Sequence, residues 1–143
     1  MEAVLLCGLQ GSGKTTLYRD RFAATHVHVC LDELRTRPRE AGLLERCLEA
    51  GLAFVVDNTN PTPADRARYV DPARAAGFKV VGYLVEVDPA VAVARRAGSV
   101  VAATARRFVR PVPEEGFDEL RHATAAPGGG WRVEPLLSTP PLF

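Results

Sequence analysis

Eight residues near the start of the chain, Gly8-Leu9-Gln10-Gly11-Ser12-Gly13-Lys14-Thr15, fit the spacing G-x-x-x-x-G-K-[ST]. Glycines at these positions let successive backbone N–H groups turn inward as a nest for phosphate oxygens. A helix opening at Lys14 adds unpaired N–H groups and the positive end of its dipole. Gly8, Gln10, Gly11, Ser12, Gly13, Lys14, Thr15 and Thr16 are therefore the expected contacts for ATP or another nucleoside triphosphate. Lys14 suits the β- and γ-phosphates, and the Thr15 hydroxyl suits Mg²⁺.

Two acids extend this chemistry. Asp57 closes the apolar run Leu52-Ala53-Phe54-Val55-Val56 and suits a second hold on Mg²⁺, directly or through water; a plain turn aspartate is the competing reading. Asp32 follows the alternating segment His26-Val27-His28-Val29-Cys30 and suits a general base for an attacking hydroxyl. Arg35, three residues on, could grip a substrate phosphate with its planar fork. Spacing alone leaves a helix-capping aspartate with a solvated arginine equally open. Arg95 and Arg96 suit a lid, over about 94–100, that neutralises charge on the transferred phosphoryl group. A basic helix end is their alternative. Arg106-Arg107 reads as an exposed face that could also meet phosphate, while His26, His28 and His122 carry no catalytic reading, the first two being structural strand residues.

These groups need elements to hold them. Ala3 to Cys7 reads as a buried strand before the glycine loop, and Lys14 to Ala23 as the helix after it. His26–Cys30 reads as strand two, and a helix follows from about Pro38 to Ala50, striped with Leu43, Leu44, Cys47 and Leu48 and stopped by Gly51. Leu52–Val56 reads as a central parallel strand. Thr62, Pro63 and Asp65 make a helix start that runs to about Ala76, with Gly77 closing it. Phe78–Val87 is the next strand, Asp88-Pro89 begins another helix, and Ser99–Phe108 is expected to be helical. Trp131–Pro135 suits a short last strand after the Gly128-Gly129-Gly130 turn, within a tail over 127–143 that is otherwise loosely held. Strands alternating with helices predict a three-layer α/β/α fold of the P-loop NTPase, nucleotide-kinase-like kind, with a central parallel sheet of about five strands. Ligands in such sheets lie beyond the carboxyl ends of the strands, where the loop, Asp32 and Asp57 all emerge.

Composition adds limits. The chain has 143 residues, 47% hydrophobic and 24% charged, which suits one domain over 1–143. No apolar run approaches the roughly 20 residues of a membrane span, and Glu2 stands where a secretory leader would be basic, so a cytoplasmic protein is expected. Cys7, Cys30 and Cys47 are read as reduced core thiols. A net charge of +1 gives no global pull toward nucleic acid. Only two of eighteen basic residues are lysine, a bias that a GC-rich coding sequence explains better than phosphate recognition does.

The run Val56-Asp57-Asn58-Thr59-Asn60-Pro61, followed by Ala64-Asp65-Arg66-Ala67-Arg68-Tyr69-Val70 and Ala73-Arg74-Ala75-Ala76-Gly77, resembles the kinase domain of polynucleotide kinase/phosphatase. The resemblance takes in His26–Val29 leading to Asp32 and the stretch from Pro111 to Phe117, and it reaches about Leu120. It implies transfer of the ATP γ-phosphate to the 5′-hydroxyl of DNA or RNA, with Lys14 and Thr15 on ATP and Mg²⁺ and Asp32 activating the hydroxyl. It also implies an acceptor-phosphate role for Arg35, site roles for Thr59 and Asn60 beside Asp57, and a lid role for Arg95 or Arg96. Cys30-Leu31 stands where many members carry an Asn-Arg pair, and the segment after Arg96 is short. A small hydroxylated metabolite as acceptor, or a nucleotide-binding regulatory module with little transfer, are the alternatives.

Overall fold

The computed structural model describes residues 1–87, 105–126 and 128–136. Six strands form one sheet: β1 (Glu2–Cys7), β2 (Val27–Val29), β3 (Phe54–Asp57), β4 (Lys79–Glu86), β5 (Glu119–Ala125) and β6 (Trp131–Pro135). Their order is β2-β3-β1-β4-β5-β6. The pairings through β5 are parallel, and β6 closes the edge antiparallel to β5. The sheet is thus mixed, with five parallel strands and one strand more than the patterning predicts.

Side-chain alternation along β1 sorts the core into two layers. Ala3, Leu5 and Cys7 pack with Leu44, Cys47, Tyr69 and Val70 of the helices α3 (Arg37–Ala50) and α4 (Pro63–Ala75). Val4 and Leu6 face the other way, onto Leu17 and Phe22 of and just after α1 (Lys14–Arg21). Helices therefore cover both faces, as the alternation of elements implies.

The caps expected at Thr62 and Gly51 form, and Thr36 adds one not expected from the sequence. Thr62 accepts the Asp65 N–H at the start of α4, and Thr36 accepts that of Arg39 at the start of α3. Gly51, at φ 68°, ends α3 in the left-handed region. All three cysteines are free and buried. Burial pushes the Cys7 thiol up to about 12.

Strand β2 is shorter than expected, and the chain turns at once into a four-residue helix, α2 (Leu31–Leu34), which carries Asp32. Strand β5 was not predicted, because Glu-Leu-Arg-His-Ala-Thr-Ala has no apolar run and buries only Ala123. The described part of the tail, residues 128–136, is held in the sheet by β6. The expected helix at Asp88, the lid at 94–100 with Arg95 and Arg96, and the end of the tail fall outside the described residues, whereas residues 105–107 are helical.

Candidate active site

Strand β1 delivers the glycine loop to the carboxyl edge of the sheet, and its neighbours deliver the acids. The Gly8 N–H donates to the Thr59 carbonyl at 3.1 Å, which fastens the loop to the segment leaving β3. A Cβ on Gly8 would lie 2.5 Å from the Val85 carbonyl oxygen of β4, so only glycine fits between the strands. Gly13, at φ 98°, turns the chain into α1.

Lys14 folds back over the loop and donates to the carbonyls of Gly8 and Leu9 at 2.9 and 3.0 Å. Burial pulls its ammonium below its ordinary pKa, and the Asp57 charge opposes that shift most strongly. Ser12 Oγ is buried with no partner among the described residues. A buried orphan hydroxyl and a lysine satisfied only by loop carbonyls fit a loop built to take phosphate oxygens.

Thr15 Oγ1 donates to Asp57 Oδ2 at 2.8 Å, and His28 Nε2 meets the same oxygen at 2.8 Å. The other ring nitrogen of His28 lies 3.0 Å from Glu33 Oε1. With a carboxylate on each side, the imidazole donates twice when protonated. Burial would lower its pKa, but the bond to Asp57 and the charge of Glu33 outweigh it and leave the pKa raised. Burial likewise pushes the Asp57 carboxyl up, and the bonds from His28 and Thr15 more than reverse this, so it stays below the usual range. The Tyr18 ring stacks on His28 at 3.9 Å. Ionised Asp57 beside the Thr15 hydroxyl is an oxygen-only donor pair suited to Mg²⁺. His28, Cys30 and Glu33 place one ligand atom each within 4.8 Å of one another, but His28 and Glu33 are already paired at 3.0 Å.

A cavity of about 560 Å³ opens above these groups. Gln10, Gly11, Gly13, Lys14, Thr15 and Thr16 line it from the loop, with Asp57, Thr59 and Asn60 from the end of β3 and Asp32 from α2. The loop, Asp57 and Asp32 thus share one space, while Gly8 and Ser12 lie outside its lining. The Asp32 carboxylate is exposed and takes no hydrogen bond or ion pair among the described residues.

Arg35 is not among the lining residues. It caps α2 at φ 74°, with its side chain exposed, and the chain then turns so that Arg37 reaches the cavity instead. Arg68 and Arg107 line it as well. Arg107 is held nearby because the Val109 N–H donates to the Pro61 carbonyl at 2.7 Å.

A polar network that the sequence did not reveal supports the Asp32 side of the cavity. Asn58 Oδ1 accepts the Leu31 N–H at 2.9 Å, which fixes the start of α2 and with it Asp32. Asn58 Nδ2 donates to Glu40 Oε2 at 2.8 Å and to Tyr69 Oη at 3.0 Å. Tyr69 donates to Glu40 Oε1 at 2.8 Å, and Arg37 donates to both partners. Asn60, at φ 48°, donates to the Leu6 carbonyl, and its own carbonyl accepts from the fully buried Arg66.

The model of the AAA domain family matches residues 35–125, well over half of the chain. The chain belongs to that family. The match begins beyond the glycine loop and runs from the end of α2 to the end of β5. This AAA domain is 26% identical, over 139 residues and 86% of its length, to a protein of Acanthamoeba polyphaga mimivirus named "Putative bifunctional polynucleotide phosphatase/kinase". It spans only 33% of that relative's length. That similarity agrees with the resemblance read from the Asp57–Pro61 run. Its fold is that of P-loop kinases. A structure from the PezAT chromosomal toxin–antitoxin system of Streptococcus pneumoniae superposes with a TM-score of 0.70 at 15% identity, over 96% of this chain and 74% of that one. Chaetomium thermophilum Kti12, solved with ADP-AlF3, gives 0.65 at 18%, over 84% and 87%. Among the described residues no helix is long and apolar enough to cross a membrane.

Proposed function

We propose that this AAA domain is an ATP-dependent kinase that transfers the γ-phosphoryl group to a hydroxyl, with the 5′-hydroxyl of a polynucleotide as acceptor. The observation that carries the reading is the Asp32 carboxylate, unpartnered among the described residues, in the same cavity as Lys14 and the Thr15–Asp57 pair. Asp32 takes the hydroxyl proton as the oxygen attacks the γ-phosphorus, and the bond to the β–γ bridging oxygen breaks. Lys14 gives up its loop carbonyls for phosphate oxygens and offsets the charge that develops on them. Thr15 and Asp57 would hold Mg²⁺, which supplies further neutralisation of the phosphates when bound. Arg37, Arg68 and Arg107 offer guanidinium groups to an anionic acceptor. Similarity to the mimivirus protein supports a polynucleotide end as that acceptor.

A small hydroxylated metabolite is the second reading. A cavity of about 560 Å³ lies in the size range of a single small-ligand pocket. The test is incubation with γ-labelled ATP, Mg²⁺ and 5′-hydroxyl oligonucleotides of DNA and RNA. Label in the oligonucleotide is expected, and none at high enzyme concentration refutes the polynucleotide acceptor. Asp32→Asn is expected to reduce transfer by at least about 100-fold while sparing ATP affinity. Activity that survives the substitution removes Asp32 as the base.

A further inference from the structure

Trp131, the one tryptophan of the chain, opens β6 directly after the glycine turn. Its benzo edge lies against the phosphate loop: a Cβ built on Gly13 would sit 3.1 Å from Cη2 of the indole. Its Nε1–H donates to Asp20 Oδ2 at 3.0 Å. Gly13 and Asp20 are seven residues apart, two turns along the same face of α1. The indole is thus pinned at both ends along the first two turns of that helix while remaining only partly buried. It packs against the buried cluster that includes Leu17 and Tyr83.

The direction of a bound triphosphate follows from the site already described. Asp57 and Asp32 mark its γ end: Asp57 ends β3 and Asp32 follows β2 on α2, and both strands lie on one side of β1. Strands β4, β5 and β6 lie on the other side of β1. A triphosphate threaded through the loop with its γ end toward β3 therefore sends its α-phosphate and nucleoside across the start of α1 toward β5 and β6. Trp131 stands there, at the carboxyl end of β5, where it pairs with Ala125. We infer that Trp131 is the stacking platform for the base of the nucleoside triphosphate. The inference rests on the reading of the Gly8–Thr15 loop as a triphosphate site and adds where the base goes. An aromatic face held rigid before the ligand arrives loses little conformational freedom on binding, and every base offers a π-face to it.

Because Trp131 is the only tryptophan, its fluorescence reports on the subsite without any substitution. Titration with MgATP is expected to quench it saturably, in parallel with retention of labelled ATP in equilibrium dialysis. Magnesium tripolyphosphate, which has the phosphates but no base, is expected to displace labelled ATP without reproducing the quench. W131F, which keeps an aromatic face, is expected to hold ATP within about 3-fold of the unsubstituted chain. W131L is expected to weaken ATP roughly 10-fold and tripolyphosphate not at all. An equal quench by tripolyphosphate, or W131L with unchanged ATP affinity, overturns the inference. Failure to retain labelled ATP at all overturns the triphosphate reading itself, and the base subsite with it. If W131L does not fold, the titrations of the unsubstituted chain decide the matter.

Discussion

The ion pair between Arg66 and Glu115 is the most exacting test of how the site is braced. Arg66 is fully buried, and its Nε and Nη2 donate to the two carboxylate oxygens of Glu115 at 2.7 and 3.1 Å. Its Nη1 donates to the Asn60 carbonyl at 2.8 Å. The Glu115 side chain is 11% exposed and also accepts the Val112 N–H at 3.0 Å. Removing one partner of such a pair strands a charge away from water and costs about 3–5 kcal/mol. Glu115→Gln keeps the volume and one acceptor, so about 3 kcal/mol is expected. Arg66→Met is expected to cost about the same, since Glu115 has a rim position and a second donor but Asn60 loses its own. The double variant Arg66→Met/Glu115→Met removes both charges and should cost at least about 2 kcal/mol less than the sum of the single changes. Urea unfolding reads this directly: with m of about 2 kcal/mol/M, each single variant moves the midpoint down by roughly 1.5 M. Against a total of about 5–15 kcal/mol, such a loss is large but survivable. A midpoint shift under about 0.3 M for Glu115→Gln, or strict additivity in the double variant, refutes the reasoning.

Two further outcomes follow from the same geometry. Gly8→Ala places a methyl 2.5 Å from the Val85 carbonyl oxygen, so nucleotide affinity measured by calorimetry should fall by at least about 10-fold; unchanged affinity would show that the loop has room the structure denies it. With all three thiols buried and Cys7 pushed up to about 12, Ellman's reagent at pH 8 should release almost no colour from the folded chain and three equivalents after urea. A prompt equivalent in native buffer would contradict this packing.

Legibility in the sequence followed the range of the interactions. The phosphate loop, β1, β3 and β4 were readable because buried parallel strands are apolar runs, and α3 and α4 because Thr62-Pro63-Ala64-Asp65 and Gly51 announce their ends locally. Strand β5 was not readable, since its polar sequence is held by pairing on both edges rather than by its own burial. The placement of Arg35 beside Asp32 assumed a continuing helix, but the helix stops at Arg35 itself and hands the cavity to Arg37. His28 was read as structural because nothing near it in sequence hints at Asp57, which is 29 residues away. Glu40 and Tyr69, likewise 29 residues apart, looked like ordinary helix positions until folding stacked them under Asn58.

Two consecutive residues couple the halves of the proposed reaction. Asp57 takes the hydroxyl of Thr15 and a nitrogen of His28, which ties the end of β3 to the phosphate loop and to β2. Asn58 takes the N–H of Leu31 and gives its own protons to Glu40 and Tyr69, which ties the same strand end to α2, α3 and α4. Asp32 is therefore positioned from the strand end that carries Asp57, not from its own short helix, which is too short to be stable alone. The end of β3 thus braces both Thr15, through Asp57, and the start of α2 with Asp32, through Asn58. That common brace gives Asn58, which lines the same cavity, a physical reason to stand beside Asp57.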